Sequence, residues 1–351
     1  MPLELEDSNS GMNFKTKISK LHYDKKAKGL FVDLLEFLSL FYGFITRWRN
    51  ELYDKNILKS VKINTKVISI GNLTTGGVGK TPIAAALARY FINKNEKTAI
   101  ISGGYGGTLS NKNINVISDG KKIYYDALQA GDEVYWHAIN NPSSVVLSSK
   151  DRAKAAKYAV DTFGCRVIIL DDAFQHRHIY RDIDIVLVDS ELGFGNEKLL
   201  PAGPLREGKE ALKRIDKLVM VNKGQDITKT EKLSKIYTKK LGCPTYVCHI
   251  EPDYAYNIVS GERLADGEAV TAICGIGQPD SFFDFVERKF EIIKKISCDD
   301  HHIYKKDEVE HIKGIIITTE KDAVKLLRFK NKNIYALKLK IDLDINAILA
   351  K

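Results

Sequence analysis

A glycine-rich stretch that ends in lysine and threonine is the part of the chain best suited to bind a phosphate. Residues 74–81 read TTGGVGKT. Glycines let consecutive backbone N–H groups turn towards one anion, and a following helix directs its positive N-terminus to the same place. The match to GxxxxGK[ST] is imperfect, because Thr74 stands at the first glycine position. Lys80 is expected to reach the outer phosphates and Thr81 to ligate magnesium, with the nucleotide held by the whole loop: Thr75, Gly76, Gly77, Val78, Gly79, Lys80 and Thr81.

Two aspartates at the end of an apolar run form the second candidate site. Residues 167–172 read VIILDD. A carboxylate that emerges from a buried strand beside a phosphate loop can hold the magnesium shell, as in a Walker B strand. Asp171 and Asp172 are therefore candidate metal ligands, and which of them contacts the metal stays open. Aspartates in this position also occur as ordinary turn or cap residues, an alternative that the sequence leaves standing.

The elements around these residues predict an α/β fold. An apolar strand over 67–70 precedes the glycine loop and a helix over 83–92 follows it. Strands and helices then alternate with short connections, which predicts a doubly wound, mostly parallel sheet over 29–250 and a smaller α/β domain over 251–351, with a linker near Pro252. The further predicted strands are 98–101, 144–147, 167–170, 185–189, 217–221, 245–249, 270–274, 291–296 and 314–318, and the further helices are 131–140, 151–162, 228–241 and those after Pro279 and Glu320.

The N-terminal region divides into two parts. Residues 1–28 are polar without a persistent apolar period, which predicts a mobile tail. Residues 29–58 carry a wide apolar face at helical spacing, and charged residues interrupt every window that could span a bilayer. A helix lying in an anionic headgroup plane and an amphipathic helix packed on its own domain both fit this pattern. The residues of the apolar face are Leu30, Phe31, Leu34, Leu35, Phe37, Leu38, Leu40, Phe41, Phe44, Ile45 and Trp48.

Composition narrows the classes of partner and site. Five scattered cysteines in 351 residues have no paired spacing, which argues against a disulfide framework or a cysteine metal site and indicates a reducing compartment. The net charge of +9 indicates an anionic partner without choosing among nucleotide, nucleic acid and acidic lipid. Because no basic stripe with interleaved aromatics is present, we do not expect a nucleic-acid partner.

Several blocks taken together resemble the tetraacyldisaccharide 4'-kinases, which phosphorylate the lipid A precursor. The sequences DDAFQHR at 171–177 and LLPAGPLRE at 199–207 are the most specific. The blocks follow the family's order along the chain. The remaining matching stretches are 71–73, 76–82, 102–106, 131–133, 181–184, 275–277, 300–302 and 319–323.

The resemblance implies an ATP- and Mg²⁺-dependent enzyme attached peripherally to the cytoplasmic face of the bacterial inner membrane. It implies transfer of the γ-phosphate of ATP to the 4'-hydroxyl of a tetraacyldisaccharide 1-phosphate, and it favours the lipid-facing interpretation of 29–58. In the implied site, Asp132 activates the acceptor hydroxyl and is paired with His301, while Lys80 and Arg206 supply positive charge. The implied metal set is Thr81, Glu133, Asp171 and Asp172, and the implied substrate-lining set is Gln175, His176, Arg206 and Glu207.

Departures and alternatives accompany this resemblance. Gly103 stands where the family commonly has an arginine, so a positive contact there is missing or is supplied elsewhere. The nearest alternative is a deviant-Walker partitioning ATPase, but the lysine that precedes the double glycine in that class is Thr75 here. Without the family pattern, His301 reads as a surface-loop histidine.

Overall fold

One twisted sheet of twelve strands forms the centre of the structure, a computed structural model that describes residues 14–350 apart from the side chains of 14–17 and 19. The strands are β1 (Lys66–Asn72), β2 (Thr98–Ser102), β3 (Asn115–Asp119), β4 (Val145–Ser148), β5 (Val167–Asp171), β6 (Ile183–Asp189), β7 (Lys217–Asn222), β8 (Thr245–Asn257), β9 (Ala269–Cys274), β10 (Glu291–Ser297), β11 (Ile315–Thr319) and β12 (Ile334–Asp342). Their order in the sheet is β10-β9-β11-β12-β8-β7-β6-β1-β5-β2-β4-β3, and neighbouring strands are parallel except in the pairs β3–β4 and β8–β12.

Helices cover both faces of this sheet, as the alternation of strands and helices predicts. Short 3₁₀ helices at Lys209–Arg214 and Leu327–Phe329 complete the regular structure of the described residues. The α-helices are α1 (Phe14–Tyr23), α2 (Leu30–Asp54), α3 (Lys80–Asn93), α4 (Ala127–Ala130), α5 (Asp132–Asn140), α6 (Arg152–Phe163), α7 (Thr228–Leu241), α8 (Pro279–Glu287), α9 (Lys306–Glu310), α10 (Glu320–Leu326) and α11 (Ile345–Leu349).

The order of the central strands places the functional loops at one edge. The β1 strand lies between β5 and β6, with Ile68 paired to Ile169 on one side and to Ile183 on the other. The loops that follow β1 and β5 therefore leave the sheet side by side. Ligands of open parallel sheets bind at this carboxyl edge of the strands. The predicted α/β fold with a phosphate loop and an N-terminal amphipathic helix is confirmed.

The predicted linker near Pro252 is wrong, because this residue lies inside β8. The β8 strand pairs with β7 and, through its later residues, with β12, so the sheet runs without a break across position 250. A register irregularity opposite Pro252, between Leu337 and Leu339, accommodates the proline, as expected for a residue that cannot donate to a strand ladder. The apolar core is also shared, since Ile68 of β1 and Phe282 of α8 belong to the same cluster of buried side chains.

The predicted mobile tail is wrong for residues 14–23, which form α1; residues 1–13 lie outside the described part. Contacts distant in sequence hold the end of this helix. His22 is buried, with Nε2 3.0 Å from the carbonyl oxygen of Pro201, and the Asn196 side chain donates to the carbonyl of Leu21. Because these partners are about 175 residues away from α1 in the sequence, the local sequence pattern does not predict the helix.

Candidate active site

The phosphate loop connects β1 to α3 and shapes an anion-binding turn. Gly79 caps α3 with φ +97, a conformation that an L side chain rarely adopts, and a Cβ on it would stand 2.9 Å from Ile250 Cδ1. The Lys80 ammonium donates to the side-chain oxygen of Asn72 at 3.2 Å and lies 3.5 Å from the carbonyl oxygen of Gly76. The helix dipole and the lysine charge thus point to one place.

A cavity of about 710 Å³ opens above this loop. All predicted loop residues line it except Thr75, whose backbone faces away: its N–H donates to Pro204 and its carbonyl accepts from Tyr23. The later part of the chain contributes both polar and apolar side chains to the lining of this cavity. The apolar ones, which form an apolar wall, are Ile250, Ile276, Phe282, Phe285, Leu337, Leu339 and Ile341.

Asp172 enters the cavity between two cations. Its Oδ1 accepts a hydrogen bond from Arg206 Nη1 at 2.8 Å and lies 3.7 Å from Lys80 Nζ. Burial acts to raise the pKa of Asp172, but the charges of Lys80 and Arg206 outweigh it and hold the pKa below its usual range. The carboxylate is therefore ionised at neutral pH.

Asp171 does not reach the cavity, in contrast to its predicted place beside the phosphates. It ends β5 with 1% of its surface exposed, and its Oδ2 lies 2.9 Å from Nε2 of the buried His137. Asp172 lies just beyond the end of β5 with φ +51, and this turn brings its side chain into the cavity while that of Asp171 stays outside. His137 was not predicted from the sequence, since a lone histidine within a helix carries no motif.

The predicted substrate-lining residues divide in the same way. Gln175 and His176 line the cavity, and burial followed by the charge of Arg152 lowers the pKa of His176 to about 4. Glu207 does not line it: its carboxylate is 2% exposed and accepts hydrogen bonds from Arg214 Nη2 at 2.8 and 2.9 Å. The Glu207 side chain therefore neutralises the largely buried guanidinium of Arg214, outside the cavity.

Asp132 and His301 meet although 169 residues separate them. Asp132 opens α5 and is 4% exposed, and its two carboxylate oxygens lie 3.1 and 3.0 Å from His301 Nδ1. The hydrogen bond to Asp132 raises the pKa of His301. Burial acts to raise the pKa of Asp132, but His301 and the nearby lysines outweigh it and lower the pKa. At pH 6.5 the imidazole therefore holds the proton and Asp132 is the ionised member.

Two lysines of α10 complete this charge cluster and were not predicted as site residues. Lys321 Nζ lies 3.2 Å from a carboxylate oxygen of Glu133 and 3.3 Å from His301 Nε2. Lys325 Nζ lies 3.6 Å from Asp132 Oδ2. Their i, i+4 spacing puts both lysines on one face of α10. This spacing is the sequence feature from which the pair could have been predicted. Glu133, His301 and Lys321 line the cavity, whereas the buried Asp132 does not line it and contacts it through His301.

Arg152, at the start of α6, lies beside the glycine at position 103. A Cβ on Gly103 would stand 3.3 Å from the Arg152 guanidinium. The Arg152 side chain is 3% exposed, and its charge lowers the pKa of Asp172. A buried cation therefore lies next to the glycine cluster, although it does not line the cavity.

The α2 helix contacts the site through one narrow face and exposes the rest. Tyr42 donates to the backbone carbonyl of Arg206 at 2.8 Å, and Arg49 donates to that of Gln175 at 2.8 Å. The large apolar side chains on the other faces are mostly exposed, including Leu40 and Phe44 at 71% each. Within residues 14–350, no helix combines the length and the apolarity that crossing a membrane requires.

Comparison with known proteins places this geometry in a family. A family model described as Tetraacyldisaccharide-1-P 4'-kinase matches residues 31–351. The chain belongs to the tetraacyldisaccharide 4'-kinase family. The predicted resemblance is confirmed, and with it the prediction of an ATP-dependent phosphotransferase of lipid A biosynthesis.

Individual members of the family match over nearly their whole length. The tetraacyldisaccharide 4'-kinase of Syntrophus aciditrophicus is 34% identical, with 95% of this chain and 96% of that protein covered. The tetraacyldisaccharide 4'-kinase of Halothermothrix orenii is 35% identical, with 91% of each chain covered. A crystal structure of LpxK from Aquifex aeolicus in complex with ATP is 31% identical and superposes with a TM-score of 0.73, covering 91% of this chain and 97% of that one.

Proposed function

We propose that this kinase transfers the γ-phosphate of ATP to the 4'-hydroxyl of a tetraacyldisaccharide 1-phosphate. The observation that carries the proposal is the convergence of Lys80, Asp172 and Arg206 on one cavity with the Asp132–His301 pair close by. Phosphoryl transfer depends on in-line positioning and on neutralising charge on the transferred group. In this proposal the ATP phosphates lie over the phosphate loop, between Lys80 and Arg206. The apolar cavity wall that includes Ile250 covers the adenine base.

The donor set fits a magnesium ion. Mg²⁺ prefers oxygen ligands and keeps several waters beside one or two carboxylates and the nucleotide phosphates. The Thr81 hydroxyl and the carboxylates of Glu133 and Asp172 line one cavity and supply such oxygens. Within the described residues, no three acidic, histidine or cysteine side chains are grouped to hold a metal alone. The bound ion would neutralise charge on the phosphates. Asp171 lies outside the cavity and would not contact the ion directly.

Asp132 is the proton acceptor in this proposal. The acceptor hydroxyl has to lose its proton as the new P–O bond forms, and a carboxylate within hydrogen-bond reach accelerates this by roughly 10²- to 10⁴-fold. Since the hydrogen bond to Asp132 raises the pKa of His301 while the pKa of Asp132 is lowered, Asp132 is the ionised member of the pair and the one that accepts the proton. His301 holds the Asp132 carboxylate in place by hydrogen bonding. It thereby joins the lining from the earlier part of the chain to the lining from the later part.

The α2 helix would hold the enzyme peripherally on an anionic bilayer, at the cytoplasmic face of the inner membrane. A helix with a wide exposed apolar face and neighbouring basic residues lies in the headgroup plane. Its hydrogen bonds to the backbones of Arg206 and Gln175 connect the bilayer surface to the cavity. A lipid disaccharide could thus enter the site without leaving the membrane.

Labelled ATP tests the reaction itself. The purified chain is incubated with γ-labelled ATP and Mg²⁺, with or without a tetraacyldisaccharide 1-phosphate in mixed micelles. The proposal expects label in the glycolipid at the 4' position and almost no ATP consumption without the acceptor. ATP hydrolysis at the same rate with and without acceptor would instead indicate a switch ATPase.

Vesicle flotation tests the membrane attachment. The double variant L40D/F44D places two charges on the exposed face of α2, and binding to anionic vesicles should fall at least tenfold. The control I293D changes an apolar side chain that is 71% exposed on β10. Equal binding of L40D/F44D and the unmodified chain would refute the attachment.

A further inference from the structure

The last turn of α1 precedes the residues that the family model matches and contacts the phosphate loop. The family match begins at residue 31, whereas α1 ends at Tyr23. The end of the helix has a defined position, because the carbonyl of His22 accepts a hydrogen bond from the backbone N–H of Asn196 at 2.9 Å and His22 itself is 7% exposed. This anchoring holds the Tyr23 side chain in place.

The Tyr23 hydroxyl donates a hydrogen bond to the carbonyl oxygen of Thr75 at 3.2 Å. Burial above all, together with the charge of Asp189, raises the pKa of Tyr23, so the hydroxyl keeps the proton that it donates. Thr75 is also fixed from its other side, since its N–H donates to the carbonyl of Pro204 at 2.8 Å. Both backbone polar groups of Thr75, the N–H and the carbonyl, are therefore engaged on the side away from the cavity.

The geometry of the peptide bond turns this contact into an orientation of the next amide. In a trans peptide the carbonyl of one residue and the N–H of the next point in opposite directions. With the Thr75 carbonyl held towards Tyr23, the Gly76 N–H points the other way, and Gly76 lines the cavity. Gly76 has φ +114, and a Cβ on it would stand 3.0 Å from Gln278 Nε2 and 3.5 Å from the Tyr23 hydroxyl, so the loop packs closely against Gln278 and contacts Tyr23.

A second set of contacts fixes the loop from the later part of the chain. Lys223 donates to the carbonyl of Gly77 at 2.8 Å and to the side-chain oxygen of Gln278 at 3.1 Å, and it pairs with Asp189 at 3.0 Å. Gln278 also contacts the Tyr23 hydroxyl. Tyr23 thus belongs to a network that holds two loop carbonyls, those of Thr75 and Gly77.

We propose that Tyr23 is a positioning residue for ATP, which acts by holding the Thr75–Gly76 peptide so that the Gly76 N–H faces a nucleotide phosphate. The proposal rests on the placement of the ATP phosphates over the loop given above. Its effect falls on ATP and not on the lipid acceptor, because the carbonyl that Tyr23 holds belongs to the phosphate loop.

The test compares Tyr23→Phe with Tyr246→Phe in the full-length chain. Tyr246 donates its hydroxyl to the carbonyl of Ala347 at 2.9 Å and does not line the cavity, so it controls for the loss of one hydrogen bond to a backbone carbonyl. Since one hydrogen bond sets the effect, Tyr23→Phe should raise the Kd and the KM for ATP about three- to tenfold. The KM for the lipid acceptor should stay unchanged, the melting temperature should fall by no more than it does in Tyr246→Phe, and Tyr246→Phe should leave ATP binding unaltered.

An unchanged Kd for ATP in Tyr23→Phe would overturn the proposal. So would an equal rise in both KM values, which would indicate general loosening of the fold. Lys80→Met, measured in parallel, separates this proposal from the placement of the nucleotide. If Lys80→Met weakens ATP binding and Tyr23→Phe does not, only the role of Tyr23 fails; if Lys80→Met has no effect, the placement of the phosphates fails as well.

Discussion

Replacement of Asp132 by asparagine tests the proposed proton acceptor. The asparagine oxygen can still accept the hydrogen bond from His301 Nδ1, now 3.0 Å from Asp132 Oδ2, so the shape of the site is kept while its basicity is lost. Loss of a general base should lower kcat by roughly 10²- to 10⁴-fold, which corresponds to about 3–5 kcal/mol of activation free energy.

The cost in stability should be smaller than the cost in rate. Asp132 is 4% exposed and lies 3.6 Å from Lys325 Nζ. A hydrogen bond between charged groups contributes about 1.5–3 kcal/mol, and part of it survives in Asp132→Asn. The free energy of unfolding should therefore fall by about 1–2 kcal/mol, which leaves the protein folded at assay temperature.

The assay combines initial rates of label transfer with the Kd for ATP from equilibrium dialysis and unfolding in urea. Asp184→Asn is the matched control: Asp184 is a buried carboxylate, 2.5 Å from Arg181 Nη2, that does not line the cavity. It should lose stability while keeping kcat within a few-fold. The reasoning is refuted if Asp132→Asn weakens ATP binding as much as it lowers kcat, because Asp132 would then act as a metal ligand or a structural residue.

Two further substitutions and one pH profile probe the site. Asp172→Asn should raise the Mg²⁺ concentration needed for half-maximal activity at least tenfold without weakening metal-free ATP binding, as seen by metal titration and dialysis; a reduced affinity for metal-free ATP would contradict this. Gly79→Ala puts a side chain at φ +97, 2.9 Å from Ile250, so the free energy of unfolding should fall by about 1–3 kcal/mol in urea, and an unchanged value would refute the strain. Because Asp132 raises the pKa of His301, the stability from this pair is complete below pH 6.5 and is lost as the pH rises through the folded pKa; urea unfolding from pH 5.5 to 9 should show this decline in the unmodified chain and not in Asp132→Asn.

The sequence predicts the local parts of the fold well. Alternating apolar runs and glycine turns identify the phosphate loop, β5 and most of the helices, because these depend on neighbours in the chain. The β12 strand was not predicted, and β8 was predicted only up to His249. Pro252 reads as a break in any local pattern, and only the irregular pairing with Leu339 shows how a strand passes through it.

The site follows the same division. The motifs single out Lys80 and the two aspartates Asp171 and Asp172 without choosing between them, and the family resemblance pairs Asp132 with His301. Local sequence patterns do not show that Asp171 turns away from the cavity towards His137, since that depends on packing between β5 and α5. The contact of Tyr23 with the phosphate loop is likewise invisible, because it joins the chain terminus to the centre of the sheet.

A crystal structure with a non-hydrolysable ATP analogue, Mg²⁺ and a tetraacyldisaccharide 1-phosphate tests the central claim most directly. The account predicts the γ-phosphate within hydrogen-bond distance of Lys80 and Arg206, with the 4'-hydroxyl oxygen in line with it and bonded to Asp132. A triphosphate bound away from the loop, or a 4'-hydroxyl remote from Asp132 in a complex that turns over when ATP replaces the analogue, would contradict it.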